Sequence, residues 1–132
     1  MAFGSYNDRF KDENDPKAWL TTDKAIRDKY RTDPLCSYRF TVSAMGDLIR
    51  VMKYSNRGGW YKALPKDVPM LLVAGENDPV GSYGEGVRKV AKRLADSGIA
   101  TECKIYPGVR HEILNDVCYG EVLSDIQSFI ER

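Results

Sequence analysis

The sequence has few of the groups from which metal, redox and nucleic-acid sites are built. It contains one histidine and three cysteines in 132 residues, and no two cysteines stand in a C-x-x-C spacing. We therefore expect no metal and no cofactor. The 20 basic and 19 acidic residues nearly balance. No nucleic acid is expected as a partner, because proteins that bind it usually carry a basic face.

Long apolar runs and an apolar leader are also missing. No run approaches the roughly 18 residues of a membrane span, and the opening MAFGSYNDRFKDEND lacks a signal-peptide core. The cysteines are widely spaced and odd in number, which favours reduced thiols. We therefore expect a cytoplasmic protein, one domain or part of one, without a membrane span.

What is present begins with a regular second half, residues 66–132. PMLLVAG is an apolar run of strand length, and GVRKVAKRLADSG places Val87, Val90, Ala91 and Leu94 on one helix face. ATECKIYPG then reads as a second strand, and YGEVLSDIQSFIER reads as a helix whose apolar face is Val122, Ile126, Phe129 and Ile130. The pattern predicts an α/β fold, a βαβα unit with parallel strands and PMLLVAG buried on both faces.

The first half, residues 1–65, is polar, aromatic and less regular. A short helix is predicted from Asp23 to Tyr30, and a longer one from Phe40 to about Tyr54 with a stripe of apolar residues. Gly58-Gly59 should end the longer helix. Large apolar side chains anchor the rest, so we expect an ordered segment. They include Phe3, Tyr6, Phe10, Trp19 and Trp60.

Each predicted strand is followed by a loop that contains one chemically useful side chain. Asp78 lies in ENDPVGS after the first strand, and His111 lies in VRHE after the second. Neighbouring strands are about 4.8 Å apart, and the carboxyl ends of parallel strands meet at one sheet edge. Asp78 and His111 are therefore expected within hydrogen-bond reach. A carboxylate on one imidazole nitrogen fixes the tautomer and leaves the other nitrogen as a general base.

The stretches GENDPVGSYGEGV and YPGVRHEILND resemble the C-terminal part of an α/β-hydrolase of the monoacylglycerol lipase, lysophospholipase and serine aminopeptidase type. The resemblance implies that Asp78 and His111 are the acid and base of a Ser-Asp-His triad, and that the substrate is a small ester or lipid. The first half resembles the cap of that family. The resemblance as a whole implies a partial α/β-hydrolase fold, in which residues 1–65 are cap-like and residues 66–132 are the C-terminal part of the core.

The sequence departs from the family in one respect. The serine should sit in a G-x-S-x-G elbow before the cap, and no such stretch occurs in these residues. The nucleophile and the oxyanion hole are therefore expected on the N-terminal side of Met1. Catalysis by this chain alone is not expected. Its expected partner is a second copy or the N-terminal half of a hydrolase, because the PMLLVAG strand needs a neighbour on each side. A non-catalytic interaction module is the alternative.

Three further features have less specific interpretations. Glu112 is more simply a structural or solvated carboxylate than the catalytic acid. The aromatic residues of the first half suit a cap core and an acyl pocket equally well. The glycines after Asp78 do not form a dinucleotide fingerprint, because they do not follow the G-x-G-x-x-G order.

Overall fold

The computed structural model describes residues 5–36 and 39–132. The α-helices are α1 (Lys24–Thr32), α2 (Val42–Ser55), α3 (Glu85–Asp96) and α4 (Tyr119–Ile130), and the strands are β1 (Met70–Gly75) and β2 (Thr101–Tyr106). Short 3-10 helices occupy Asp8–Glu13, Trp60–Ala63 and Ile113–Asn115. The strand–helix–strand–helix order predicted for the second half is confirmed.

The two strands pair in parallel, as predicted. The register runs from Met70 opposite Thr101 to Gly75 opposite Tyr106, so both strands end at the same edge. Within the described residues β1 pairs with β2 on one side, and the other edge of β1 is open. Most of β1 is only half-buried, and burial is complete only at Ala74 and Gly75. The expectation that both faces of this strand are covered is therefore wrong for these residues.

Helix α3 has the apolar face that the sequence predicts. Ala91 and Leu94 are buried, while Val87 and Val90 are half-buried, and the helix packs against both strands. Ser97 caps the helix, and Gly98 follows in the left-handed region at φ 88°. A glycine in this position is the usual way for a helix to end, because it adopts a positive φ without a steric penalty.

The core of the second half lies beneath the end of β2. Tyr106, Val109 and Val122 form a buried cluster, and Val73 and Ile126 pack against it. Helix α4 thereby contributes part of its predicted face. Ile130 lies on that face but is 74% exposed. It is the last residue of the helix.

The helices of the first half also form, but they differ in packing. The Asp23 carboxylate caps α1 by accepting from the backbone N–H groups of Ala25 and Ile26, and α1 ends at Asp33, before a proline. Helix α2 has no buried residue. In the described residues the predicted apolar stripe of α2 is uncovered at Val51 and Met52, which are 62% and 53% exposed. No described helix is long and apolar enough to cross a membrane.

Gly75 is the position of the sheet most sensitive to an added side chain. A Cβ there would overlap the backbone carbonyl groups of Val109 and Arg110, and backbone atoms do not move aside cheaply. Gly75→Ala should lower the free energy of unfolding by about 1–3 kcal/mol, measured by urea denaturation. Gly120→Ala is the control, because a Cβ at this helical glycine meets open space and should stabilise the chain by about 0.5–1 kcal/mol. Equal effects of the two substitutions on the free energy of unfolding would contradict the view that Gly75 is especially sensitive to an added side chain.

Candidate active site

The loops that follow the two strands bring Asp78 and His111 into contact. Nδ1 of His111 lies 3.1 Å from Oδ1 of Asp78, so the predicted proximity is confirmed. A carboxylate only accepts hydrogen bonds, and Nδ1 therefore carries the shared proton. In the neutral imidazole this leaves the lone pair on Nε2. The site thus presents a nitrogen base whose tautomer is set by an acid.

A turn fixes the Asp78 carboxylate. Its Oδ1 accepts a second hydrogen bond from the backbone N–H of Val80 at 2.8 Å, and its own carbonyl accepts from the N–H of Tyr83 at 2.8 Å. The next residues turn sharply, with positive φ at Ser82 and Tyr83. Positive φ is uncommon in residues with side chains, and such strained turns persist where surrounding contacts enforce them. The carboxylate is therefore held in place independently of the histidine.

Backbone contacts join the two loops directly. The N–H of Asn77 donates to the carbonyl of Val109 at 2.8 Å. The N–H of Gly108, a residue at φ 72°, donates to a Glu76 carboxylate oxygen at 3.0 Å. These bonds position the turn before His111 over the end of β1. They also set the separation of the two loops that carry Asp78 and His111.

Burial differs between the two partners. The Asp78 side chain is 10% exposed and the His111 side chain 36% exposed. The hydrogen bond that His111 donates to Asp78 raises the pKa of His111, against the opposing effect of partial burial, and the charges of Asp78 and Glu112 raise it further. The acid is thus shielded from water, while solvent reaches the base. Glu112 acts on the imidazole only through its charge, which agrees with its interpretation as a structural or solvated carboxylate.

The aromatic residues predicted for this region divide into three groups. The Trp19 ring lies 5.2 Å from the His111 ring, and the Tyr6 ring lies 5.1 Å from Trp19. Phe10 is buried beneath the Arg110 guanidinium, 4.1 Å from its ring centre. Trp60 packs edge-to-face on Tyr61. Phe3 lies outside the described residues.

A groove of about 560 Å³ adjoins Trp19. Its apolar wall comes from Trp19, Leu35, Phe40 and Met45, and two cationic residues, Lys17 and Arg39, also line it. This volume lies within the range of about 300–1,000 Å³ typical of ligand pockets. Trp19 therefore lines this groove and also packs on the His111 ring.

The sequence pattern did not identify Arg110 as a functional residue. Arg110 connects the loop that carries His111, here called the base loop, to the first half of the chain. This residue is buried, and its guanidinium donates to the Ala18 carbonyl at 2.5 Å and pairs with Glu13. Its sequence position beside His111 was the one available signal. An arginine in a loop is normally solvated, so the pattern alone does not distinguish a buried one.

No nucleophile contacts the base within residues 5–36 and 39–132. Asp78 is the hydrogen-bond partner recorded there for the imidazole, and no serine hydroxyl reaches it. In the same ranges no group of three or more histidine, cysteine, aspartate or glutamate residues is arranged to hold a metal ion.

Comparison with known proteins identifies the fold. The family model described as serine aminopeptidase, S33, matches residues 4–117. The chain is 32% identical to a thermostable carboxyl esterase from Bacillus coagulans, with a TM-score of 0.89, and 28% identical to a lipase in its open form, with a TM-score of 0.88. Each comparison covers 98% of this chain and 43% of the other. Comparison with curated proteins gives no match.

The fold and the matches define a partial α/β-hydrolase. The chain belongs to the serine aminopeptidase S33 family, and it spans less than half the length of the two solved structures that it matches.

The single histidine makes the site directly measurable. Asp78→Asn should lower the pKa of His111, because it removes the carboxylate charge and the hydrogen bond that favours the protonated ring. An NMR titration of the imidazole follows this without overlap, since no other histidine is present. Because folding raises this pKa, the contribution of the pair to stability is complete below the ordinary histidine pKa and is lost as the pH rises through the raised value.

Glu112→Gln is the matched control for this titration. It removes a carboxylate from the residue next to His111 without removing the hydrogen bond. The pKa of His111 should therefore fall less than in Asp78→Asn. An equal or larger fall would mean that Glu112 is the dominant acid.

Proposed function

We propose that this chain supplies the general base and the orienting acid of a carboxylic ester hydrolase. The single observation that carries the proposal is the contact between Nδ1 of His111 and Asp78 at the carboxyl edge of the sheet. The nucleophilic serine and the oxyanion hole are assigned to the part of the fold that the solved relatives contain and this stretch does not span. Within the family, we propose an activity like that of the lysophospholipases and monoacylglycerol lipases that the sequence resembles.

In the assembled enzyme the reaction is acyl transfer from an ester to water. Nε2 of His111 takes the proton of the serine hydroxyl as the oxygen attacks the ester carbonyl, and the tetrahedral oxyanion forms. The imidazolium then gives that proton to the leaving alkoxide, and the C–O bond breaks. Asp78 orients the ring and stabilises its cationic form. Water repeats the sequence on the acyl-enzyme and releases the carboxylic acid.

The groove beside Trp19 supports a small ester or lipid as the substrate. It is mainly apolar in its wall, and Trp19 itself packs on the base. An acyl or alkyl chain in this groove would contact Trp19, the residue whose ring packs on the imidazole. The chemistry proposed here uses side chains and water, with no cofactor. A cytoplasmic location belongs to the proposal, since all three cysteines have free thiols.

One observation favours a second candidate function, a non-catalytic interaction module. Helix α2 carries uncovered apolar residues, including Val42, Val51 and Met52, and β1 has an open edge. Such surfaces pair readily with another chain. The ordered contact of Asp78 and His111 weighs against this reading, because an interaction module has no use for an oriented base.

The experiment is a comparison of the chain alone with a chimera. The purified chain should not turn over p-nitrophenyl esters, because loss of even one oxyanion donor reduces rates by about 10²–10³-fold. Joined to the remaining part of the Bacillus coagulans esterase, it should give an active enzyme. In that chimera His111→Ala should reduce kcat by about 10⁶-fold and Asp78→Asn by about 10⁴-fold.

The control in the chimera is Glu112→Gln, which should leave the turnover rate close to that of the parent. Activity of the chain alone that a fluorophosphonate abolishes would reveal a serine nucleophile within it. A chimera that folds and hydrolyses esters equally well with and without His111 would refute the proposal.

The open edge of β1 predicts that the chain by itself self-associates, most simply as a two-fold dimer. Sedimentation equilibrium at micromolar concentration should give a mass near twice the 14.9 kDa of one chain. A monomer that unfolds cooperatively would exclude the dimer, and would mean that the first half covers the edge in solution.

A further inference from the structure

The residues on both sides of His111 are tied to the same short stretch of the first half. The guanidinium of Arg110 donates to the carbonyl of Ala18 at 2.5 Å. The backbone N–H of Glu112 donates to the carbonyl of Leu20 at 2.8 Å. Between these two anchors lies Trp19, whose ring packs 5.2 Å from the imidazole. Residues 18–20 thus contact residues 110–112 one to one, and His111 is the middle residue of the second set.

Ion pairs hold this stretch and the base loop together. Arg110 pairs with Glu13, and Glu13 also pairs with the buried Arg27 at 3.0 Å. Arg27 in turn reaches the Asp15 carboxylate at 2.8 Å and the Thr21 carbonyl at 2.6 Å. The hydrogen bond from Arg110 holds the pKa of Glu13 below its ordinary value. Glu13 is therefore charged at neutral pH and bridges two arginines.

A second tie lies on the other side of His111. The Asp116 carboxylate accepts from the backbone N–H groups of Arg110 and Thr22 and from the Thr22 hydroxyl. Burial would raise the pKa of Asp116, but these hydrogen bonds outweigh it and hold it below its ordinary value. The turn that carries the base is consequently fixed at its start and at its end to residues 18–22.

We propose that the Ala18–Leu20 segment and the Glu13–Arg110 ion pair position the imidazole of His111 against Asp78. Glu13, Trp19 and Arg110 are positioning residues for the base, and they act through the loop and through ring packing. The catalytic meaning of this arrangement rests on the proposed function. The geometry itself is tested without any activity.

Glu13 is the most informative of these residues because it acts at a distance. The hydrogen bond to Asp78 and the charges of Asp78 and Glu112 raise the pKa of His111. Glu13 contacts the loop of His111 through its ion pair with Arg110. Replacing Glu13 changes the charge near the imidazole as well as the position of the loop, so the tautomer of the ring is the readout that reports position.

The experiment is an NMR titration of His111 in the full chain. Glu13→Gln removes the charge of the ion pair, and Arg110→Lys keeps the positive charge but loses the planar fork that reaches both Glu13 and Ala18. In both variants the pKa of His111 should fall to a value between those of the wild type and Asp78→Asn. The imidazole ¹⁵N shifts should also move from a single Nδ1–H tautomer toward a mixture.

Asp8→Asn is the matched control, because it removes one carboxylate from the same 3-10 helix, where Asp8 pairs with the exposed Lys11. Its titration should match the wild type. Unchanged pKa and tautomer in either Glu13→Gln or Arg110→Lys, with a native amide spectrum, would overturn the proposal.

If neither variant folds, a measurement on the wild type tests whether the imidazole of His111 is held in position. Relaxation of the ring ¹⁵N nuclei should show the imidazole as rigid as the backbone around it. A ring that moves independently on the nanosecond timescale would contradict the proposed positioning. A chimera without esterase activity would leave these results unaffected and would count against the proposed function alone.

Discussion

The close passage of residues 108–110 over the end of β1 is the contact on which the rest of the site depends. Gly75 permits it, because any side chain there would overlap the Val109 and Arg110 carbonyls. The backbone hydrogen bond from Asn77 to Val109 then locks the two loops together. The acid and the base are side chains of these two loops, so main-chain geometry sets the separation of the loops that carry them. Such preorganisation matters, since a displacement of about 1 Å can cost about 10²-fold in rate.

The buried charges beneath the base loop add a constraint of a different kind. A buried ion pair contributes little net stability, because desolvation of both ions offsets their attraction, yet removal of one partner costs about 3–5 kcal/mol. Arg27 and Arg110 are both buried and both pair with Glu13, and Arg27 pairs with Asp15 as well. Few alternative positions of residues 13–27 would keep all of these pairs. This is the constraint by which the proposed positioning of the His111 loop operates.

The regular elements and the acid–base pair could be predicted from the sequence because their signals are local. PMLLVAG has the composition of a strand, α3 has a complete apolar face, and each strand is followed by one distinctive residue, Asp78 or His111. The ties around the base could not be predicted in this way. The Arg110–Ala18 contact joins residues 92 positions apart, and an arginine that will be buried looks like one that will be solvated.

The apolar stripe of α2 illustrates a further limit. Periodicity indicates that a helix has an apolar face, but it does not say what covers that face. Val51 and Met52 have the predicted spacing and remain exposed. The same applies at the end of α4, where Ile130 continues the apolar period and is exposed. Burial is a property of the whole assembly, and it cannot be read from one segment.

The uneven distribution of exposed apolar surface separates two parts of the molecule. At the carboxyl edge of the sheet Asp78 is buried, and its carboxylate accepts from the Val80 N–H. The open edge of β1 and the apolar side of α2 are uncovered, and the matched structures contain more than twice the length of this chain. The geometry of the base is thus complete before those surfaces are covered. Under the proposed function, a part that docks there supplies the serine hydroxyl to Nε2 of His111 together with the oxyanion hole, while the tautomer of the ring is already set by Asp78.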